Sequence, residues 1–417
     1  MKKGLIFVLF VVLISSFAFA GGQQEQGEVT IKWPSIWVGK DSKAPAVAAL
    51  VQQFNEENAG SIKVEVEEQP NYDGYREKIR TSIAAKIIPD FFTINPSPTS
   101  LAYYDSDGIL DFNEVMDADW KAMYNEGTIA QATHKGMLKS LPYEVAITPV
   151  WYNKALFDKA GASIPSNWSE MQDVMAKLKA AGIIPTSQMT GGSNAWTSML
   201  WYSHFVASLG GPSAWDKPLS DPIYVKAAEM LLELYSDGNT SIDAIGGDAG
   251  VSGGHFLAGE TAMFINGPWY IGRVKNDAPE VYANTMVDSA PAAGSNAGAQ
   301  IGFLQTNLIA ADLRESDPAK HEAIVAFTKW MSAPDNVARI SKEAGSMFAI
   351  KFDSAMIDDP LQKSFIEAAN SAAFTNKHLA GVFKAEVVSE FGQALGKMAL
   401  GDATPAEFVE MLDKANK

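Results

Sequence analysis

The 417-residue chain contains no cysteine, which excludes disulfides, thiol catalysis and cysteine-ligated metals. Histidine is scarce too: His134, His204, His255, His321 and His378 are the five present. No two of them stand in an H-E-x-x-H or other paired metal-ligand spacing. Each reads as a structural or surface residue, and no cofactor or metal is expected. Positive charge is outnumbered, with 33 Lys and Arg against 49 Asp and Glu and a formal net charge of −16. Such a chain repels nucleic acid and anionic lipid surfaces, so neither is an expected partner. Beyond the first twenty residues, no apolar run reaches the roughly 18 residues a membrane span requires.

Catalytic motifs are missing as well. Gly392 to Lys397 (GQALGK) is one residue short of a P-loop, and the following Met398 cannot supply a magnesium hydroxyl. Gly294-Ser295-Asn296-Ala297-Gly298 has its serine out of register for a nucleophile elbow. Asp105-Ser106-Asp107-Gly108 begins like a calcium loop but lacks the later ligands and the closing glutamate. A glycoside hydrolase needs two carboxyl groups flanking the sugar bond. Asp41 and Glu144 are candidates for such a pair, but no paired local signature supports it, and the chain is read as a non-enzyme.

What is present begins at the N-terminus. Met1-Lys2-Lys3 precedes an apolar run from Leu5 to Ile14 and then Ser15-Ser16-Phe17-Ala18-Phe19-Ala20. This is the charged region, apolar region and Ala-x-Ala site of a cleavable secretory signal, residues 1–20. Cleavage after Ala20 would leave 397 of the 417 residues and, without Lys2 and Lys3, a net charge of −18. With no cysteine there is no lipobox, so a soluble periplasmic protein is expected. That length exceeds one ordinary core and predicts two lobes.

Alternating elements point to an α/β fold. Val29 to Val38, Ile62 to Val66 and Asp90 to Ile94 read as strands. Ala46 to Glu57 reads as a helix, with Val47, Leu50, Val51 and Phe54 at helical spacing, and Tyr75 to Ile88 as another. This order predicts βαβ units and a parallel sheet. Thr148 to Tyr152 and Thr306 to Ala311 read as later strands, and the segment after Pro334 as helical. The most telling stretch is Gly253 to Gly272. Ala262 to Ile265 has the length of a buried strand, and Asn266-Gly267-Pro268 ends it and can open a helix. Trp269 thereby falls beyond a strand end, where open α/β sheets bind ligands.

Leu141-Pro142-Tyr143-Glu144-Val145, Trp151-Tyr152-Asn153-Lys154 and Leu156 to Gly161 form a second pattern. With Gly259, Glu260, Ala262, Met263, Gly267 and Trp269, it resembles the extracellular solute-binding proteins of bacterial ABC importers. The closer resemblance is to the family-1, maltose-binding-protein-like group. This likeness implies a two-lobe periplasmic binding protein fold, type II-like, with discontinuous lobes and a hinge of three crossovers. The crossovers fall near Pro142–Ile147, Asp288–Gln300 and Met331–Asp335. One lobe is then 28–143 with 290–332, and the other 147–287 with 335–417.

The implied function is capture of a carbohydrate by a monomer that delivers it to permease subunits in the inner membrane. Sugar sites combine aromatic faces with closely placed polar groups, because an unpaired buried hydroxyl costs about 1–3 kcal/mol. The strand-end clusters supply Ser35, Trp37, Asp41 and Ser42, then Asn95, Ser97 and Thr99. Tyr143 and Glu144 lie at the first crossover, Trp196 beside Asn194, and Asn266 beside Trp269. By resemblance, Asp41 and Ser42 match the group's polar pair after the first strand, with serine in place of lysine, and Trp269 matches its stacking tryptophan. Asn95, Ser97 and Pro98 stand where the group has an aromatic followed by charged ligands. Its late stacking tryptophan falls near Phe383 to Phe391, where none occurs. A sugar with fewer stacked rings than a long maltodextrin fits better. Same-fold alternatives are a polyamine, glycerol phosphate or an iron complex, and the few arginines in these clusters count against phosphate. A secreted glycan hydrolase is the alternative of a different class.

Overall fold

The computed structural model describes residues 27–417 apart from 70, 125 and 192–194. The expected signal segment and Asn194 lie outside the described residues. Val29–Ser35 (β1) pairs in parallel with Ile62–Glu68 (β2) across the helix Ala44–Glu57, which buries Val47, Leu50, Val51 and Phe54. The helical spacing therefore named the buried face correctly. The helix Tyr72–Ala84 then leads to Phe91–Ile94 (β3), where every residue is buried.

The strands Leu141–Ile147 (β4), Val150–Asn153 (β5), Ile184–Thr186 (β6), Thr261–Ile265 (β7) and Thr285–Asp288 (β8) follow. Ala299–Ala310 (β9), Met347–Phe348 (β10) and Phe374–Asn376 (β11) complete the described set. One sheet is built on β9, which is antiparallel to β3 and β4 and parallel to β11, with β10 on the far edge of β4. A second sheet runs β6-β7-β5-β8. Among the described strands the expected parallel pairing holds for β1–β2, β6–β7 and β9–β11. The ladders of β9 with β3 and β4, and of β5 with β7 and β8, are antiparallel.

Two main hydrophobic cores divide the molecule. One gathers Ile31, Trp33, Phe54, Phe91, Leu308 and Phe327. The other gathers Tyr152, Met199, Trp201, Tyr202, Ile265 and Phe391. Packing shifts the expected lobe boundaries. Val337, Ile340, Phe348 and Ile350 pack in the first core, not the second, whereas Leu361 and Phe365 pack beside Trp151 and Phe264 in the second lobe. The change of lobe thus lies between Ile350 and Leu361, rather than at 335. Pro334 opens a helix, Pro334–Ala344, whose apolar face returns to the first core. Similarly, Ala299 and Ile301 still pack with the second core while Leu308 and Ala310 pack with the first. The return begins within β9, not at 290. At about 3.3 Å per residue, this twelve-residue strand is long enough to serve both lobes.

Candidate functional site

β7 ends as expected. A 3-10 turn over Pro268–Tyr270 follows, then the helix Ile271–Asp277. The indole nitrogen of Trp151 donates to the Asn266 carbonyl at 2.9 Å, and the Gly267 amide donates to the Asn266 side chain. Glycine is required at 267 because a Cβ there would lie 2.0 Å from the Trp269 ring, which folds back over this backbone. Trp269 is consequently held half-buried at the strand end.

Trp196 opens the helix Trp196–Gly210 directly after Ala195, whose backbone is left-handed with φ of 46°. Such a conformation in a non-glycine residue costs on the order of 1–3 kcal/mol, and strain of this kind gathers at functional sites. The two tryptophans meet at 6.4 Å and 45°. Phe303, on β9, packs 6.1 Å from Trp196 and 6.4 Å from Trp269. His378 closes the group, edge-on to Phe303 at 4.4 Å and to Trp196 at 5.1 Å. Burial pushes the His378 imidazole down to about 3, with Lys377 adding to the shift. It is therefore a neutral ring, and its buried Nδ1 has no hydrogen-bond partner among the described residues.

Phe303 and His378 were absent from the sequence-derived site, since a lone histidine reads as structural and Phe303 falls between the crossover ending at Gln300 and the strand expected from Thr306. The one available signal was the alternation along β9. Phe303 packs toward the second core and Leu304 toward the first.

The first lobe contributes charge. Lys43 is buried between two carboxylates, its ammonium 3.6 Å from Asp41 and 3.6 Å from Glu144. Burial pulls its pKa down, but Asp41 and Glu144 more than offset this, and the group sits above its ordinary value. Glu144, only 2% exposed, also accepts from the Thr306 hydroxyl at 2.7 Å. Asp41 accepts from the Lys43 amide and keeps a side chain 28% exposed. Lys43 and Thr306 were missed, although Lys43 directly follows Asp41 and Ser42.

The remaining expected residues divide. Ser42 donates to the Trp269 carbonyl at 2.8 Å, a bond that joins the two lobes. Gly272 makes the same approach possible, since a Cβ there would lie 3.1 Å from that of Ser42 and 3.0 Å from the Glu343 carbonyl. Asn95 bridges the Tyr72 hydroxyl and the Gln305 carbonyl on β9. Ser97 caps the helix Pro98–Tyr104 in a capping box with Ser100, so its hydroxyl is already engaged. Trp37 and Tyr143 are corrections. Trp37 is 3% exposed, stacked on Tyr143 at 5.9 Å and lying beneath the Lys43 ammonium. Tyr143 is fully buried and its hydroxyl donates to the Met331 carbonyl. Both rings are spent on the first core, because the polar residues around them turn inward to Lys43. Glu144 is likewise enclosed by its partners. Phe391 packs against Tyr202 and Phe408, and Phe383 against Trp215, so neither joins the ring group.

A family model for bacterial extracellular solute-binding proteins matches residues 49–361. The chain belongs to this family. A multiple sugar-binding protein of Streptococcus mutans serotype c is 21% identical over 386 residues, 90% of this chain and 87% of that one. Among solved structures, a chitin oligosaccharide binding protein superimposes with a TM-score of 0.83 at 20% identity, covering 93% of this chain and 98% of that one. A solute-binding protein, RafE, in complex with raffinose gives 0.76 at 21% identity with the same coverage. These structural likenesses establish the two-lobe fold. Membership places the chain among proteins that work outside the cytoplasm.

Proposed function

We propose that this solute-binding protein captures a mono- or oligosaccharide between its lobes and delivers it to the permease subunits of an ABC importer. On this reading it is a periplasmic monomer, released by cleavage after Ala20. The observation that carries the reading is the ring group of Trp196, Trp269, Phe303 and His378, placed where the lobes meet. Aromatic faces of this kind pack against the apolar C–H side of a sugar, while the neutral imidazole offers a hydrogen-bonding nitrogen to a hydroxyl. The names of the relatives, which bind multiple sugars, chitin oligosaccharide and raffinose, point the same way.

Closure follows from the architecture. β4 and β9 run side by side through the crossover, and a ligand touching rings on one side and polar groups on the other favours the closed state by its differential affinity. Hydrolysis is disfavoured because Glu144 is buried and engaged by Lys43 and Thr306, out of reach of a sugar bond.

The test is thermal-shift screening of the mature protein against a carbohydrate panel, with polyamines, glycerol phosphate and iron complexes as the competing solutes. A ligand at a hundred times its dissociation constant should add about 2.7 kcal/mol to stability. Product analysis after overnight incubation should return the sugar intact. Stabilisation by a non-carbohydrate alone, or release of cleaved products, would overturn the proposal.

A further inference from the structure

At the end of β3 the first lobe holds a small cavity of about 40 Å³ that opens to solvent. Tyr72, Arg76, Asn95, Ser97 and Tyr103 are among its ten lining residues. One of the ten is a cation and none is an anion, in a chain whose net charge is −16. Arg76 forms no ion pair among the described residues. Its guanidinium lies over the Tyr72 ring at 5.6 Å, which leaves its N–H fork available. The carboxylates on the same helix do not neutralise it. Glu77 is bound to Arg80, and Asp73, at the first turn, does not line the cavity.

The cavity is linked to the site already described through β9. Asn95 donates to the Gln305 carbonyl, and Phe303 of the ring group lies two residues away on the same strand. Residues two apart on a strand share a face and sit about 7 Å apart. We infer that the ligand is a saccharide bearing an oxyanion, a carboxylate or a phosphate, with its ring between the aromatics and its charge on Arg76. Arginine suits this task because its planar fork matches two oxygens of a carboxylate or phosphate at once. The inference rests on the carbohydrate reading and narrows it. It also revises what the strand-end clusters implied, since the arginine they lack arrives from the neighbouring helix.

Calorimetry on the mature protein provides the test, using neutral hexoses and disaccharides of the gluco and galacto series. Each is matched to its uronic acid and to its 6-phosphate. At least one anionic member should bind ten times more tightly than its neutral parent, and the margin should shrink as salt rises. In Arg76→Gln that margin should vanish, while affinity for the neutral parent changes less than twofold. The unliganded unfolding midpoint should be unchanged, since Arg76 is exposed. The uronate and phosphate arms identify which oxyanion is taken. Equal binding of neutral and anionic members, or a preference that survives in Arg76→Gln, overturns this inference alone. Failure of every saccharide to bind overturns the carbohydrate reading and this one with it.

Discussion

The two faces that meet between the lobes are built from different chemistry. The second lobe and β9 offer rings, namely Trp196, Trp269, Phe303 and His378. The first lobe offers Lys43 between Asp41 and Glu144, and Asn95 tied to β9. Ring faces bind in proportion to the area they cover and tolerate change in neighbouring residues. Buried charges are stable only as a complete set. Damage should therefore appear as lost affinity on one face and as lost folding on the other.

Lys43→Met should have the largest effect. It would leave Glu144 buried, without its counter-charge, and uncompensated charge of this kind costs about 3–5 kcal/mol. Urea unfolding of the unliganded protein measures it. Glu144→Gln should cost less, because Lys43 keeps Asp41. A loss under about 1 kcal/mol in Lys43→Met would show that Glu144 finds another partner and that the charged face is not a closed set.

Trp269→Ala comes next, and its effect should fall on binding. Covering roughly 100 Å² of ring with sugar is worth about 2.5 kcal/mol at 25 cal/mol per Å². With some relaxation, the expected loss is about 2 kcal/mol, or thirtyfold in affinity. Unliganded stability should fall well short of the roughly 3–5 kcal/mol expected for Trp151→Ala, whose ring is fully buried. If affinity survives while stability collapses, Trp269 belongs to the core and the contrast between the faces fails.

A smaller effect separates the faces by pH. Burial holds His204 at about 4 and His378 at about 3, against 6.5 when unfolded. Below pH 6.5 the unfolded chain takes up protons that the folded one refuses. The stability associated with the neutral rings is therefore full above 6.5 and falls as pH drops toward the folded values. Each histidine contributes a slope of up to about 1.4 kcal/mol per pH unit between 6.5 and 4.5. His378→Phe keeps a ring beside Trp196 and should remove roughly half of that slope in urea titrations at stepped pH. An unaltered slope would mean that His378 is protonated freely in the native state.

What was legible in the sequence follows from how local the signal is. The strand ending in Asn266-Gly267-Pro268 and the buried stripe of Ala44–Glu57 are set by neighbours within a few residues, and both appear as read. The position of Trp269 just past that strand was legible for the same reason. Trp37 and Tyr143 misled because a ring near polar residues looks the same whether those residues face a ligand or a buried lysine. His378 and Phe303 come together across 75 positions of sequence, a proximity no local pattern encodes. The lobe boundaries moved because Pro334 marks the start of a helix as readily as the end of a lobe, and because β9 belongs to both lobes at once.

The finest distinction concerns the join between the faces. Ser42 bonds the Trp269 carbonyl across the lobes, so this bond is available only when they are together. It contributes to closure whatever the ligand. Ser42→Ala should remove a net 0.5–1.5 kcal/mol, about 1 being typical of a single hydrogen bond. Every ligand should then weaken by the same factor, roughly twofold to tenfold. Trp269→Ala, in contrast, should weaken ligands unequally, according to how much of each ring it covers. Small-angle scattering of Ser42→Ala at saturating ligand should still show the compact form, because the ligand's own contacts remain. Calorimetry across three or more sugars decides the matter. A common factor supports a closure bond independent of the ligand, whereas losses that differ from sugar to sugar would make Ser42 a direct ligand contact and its bond to Trp269 incidental.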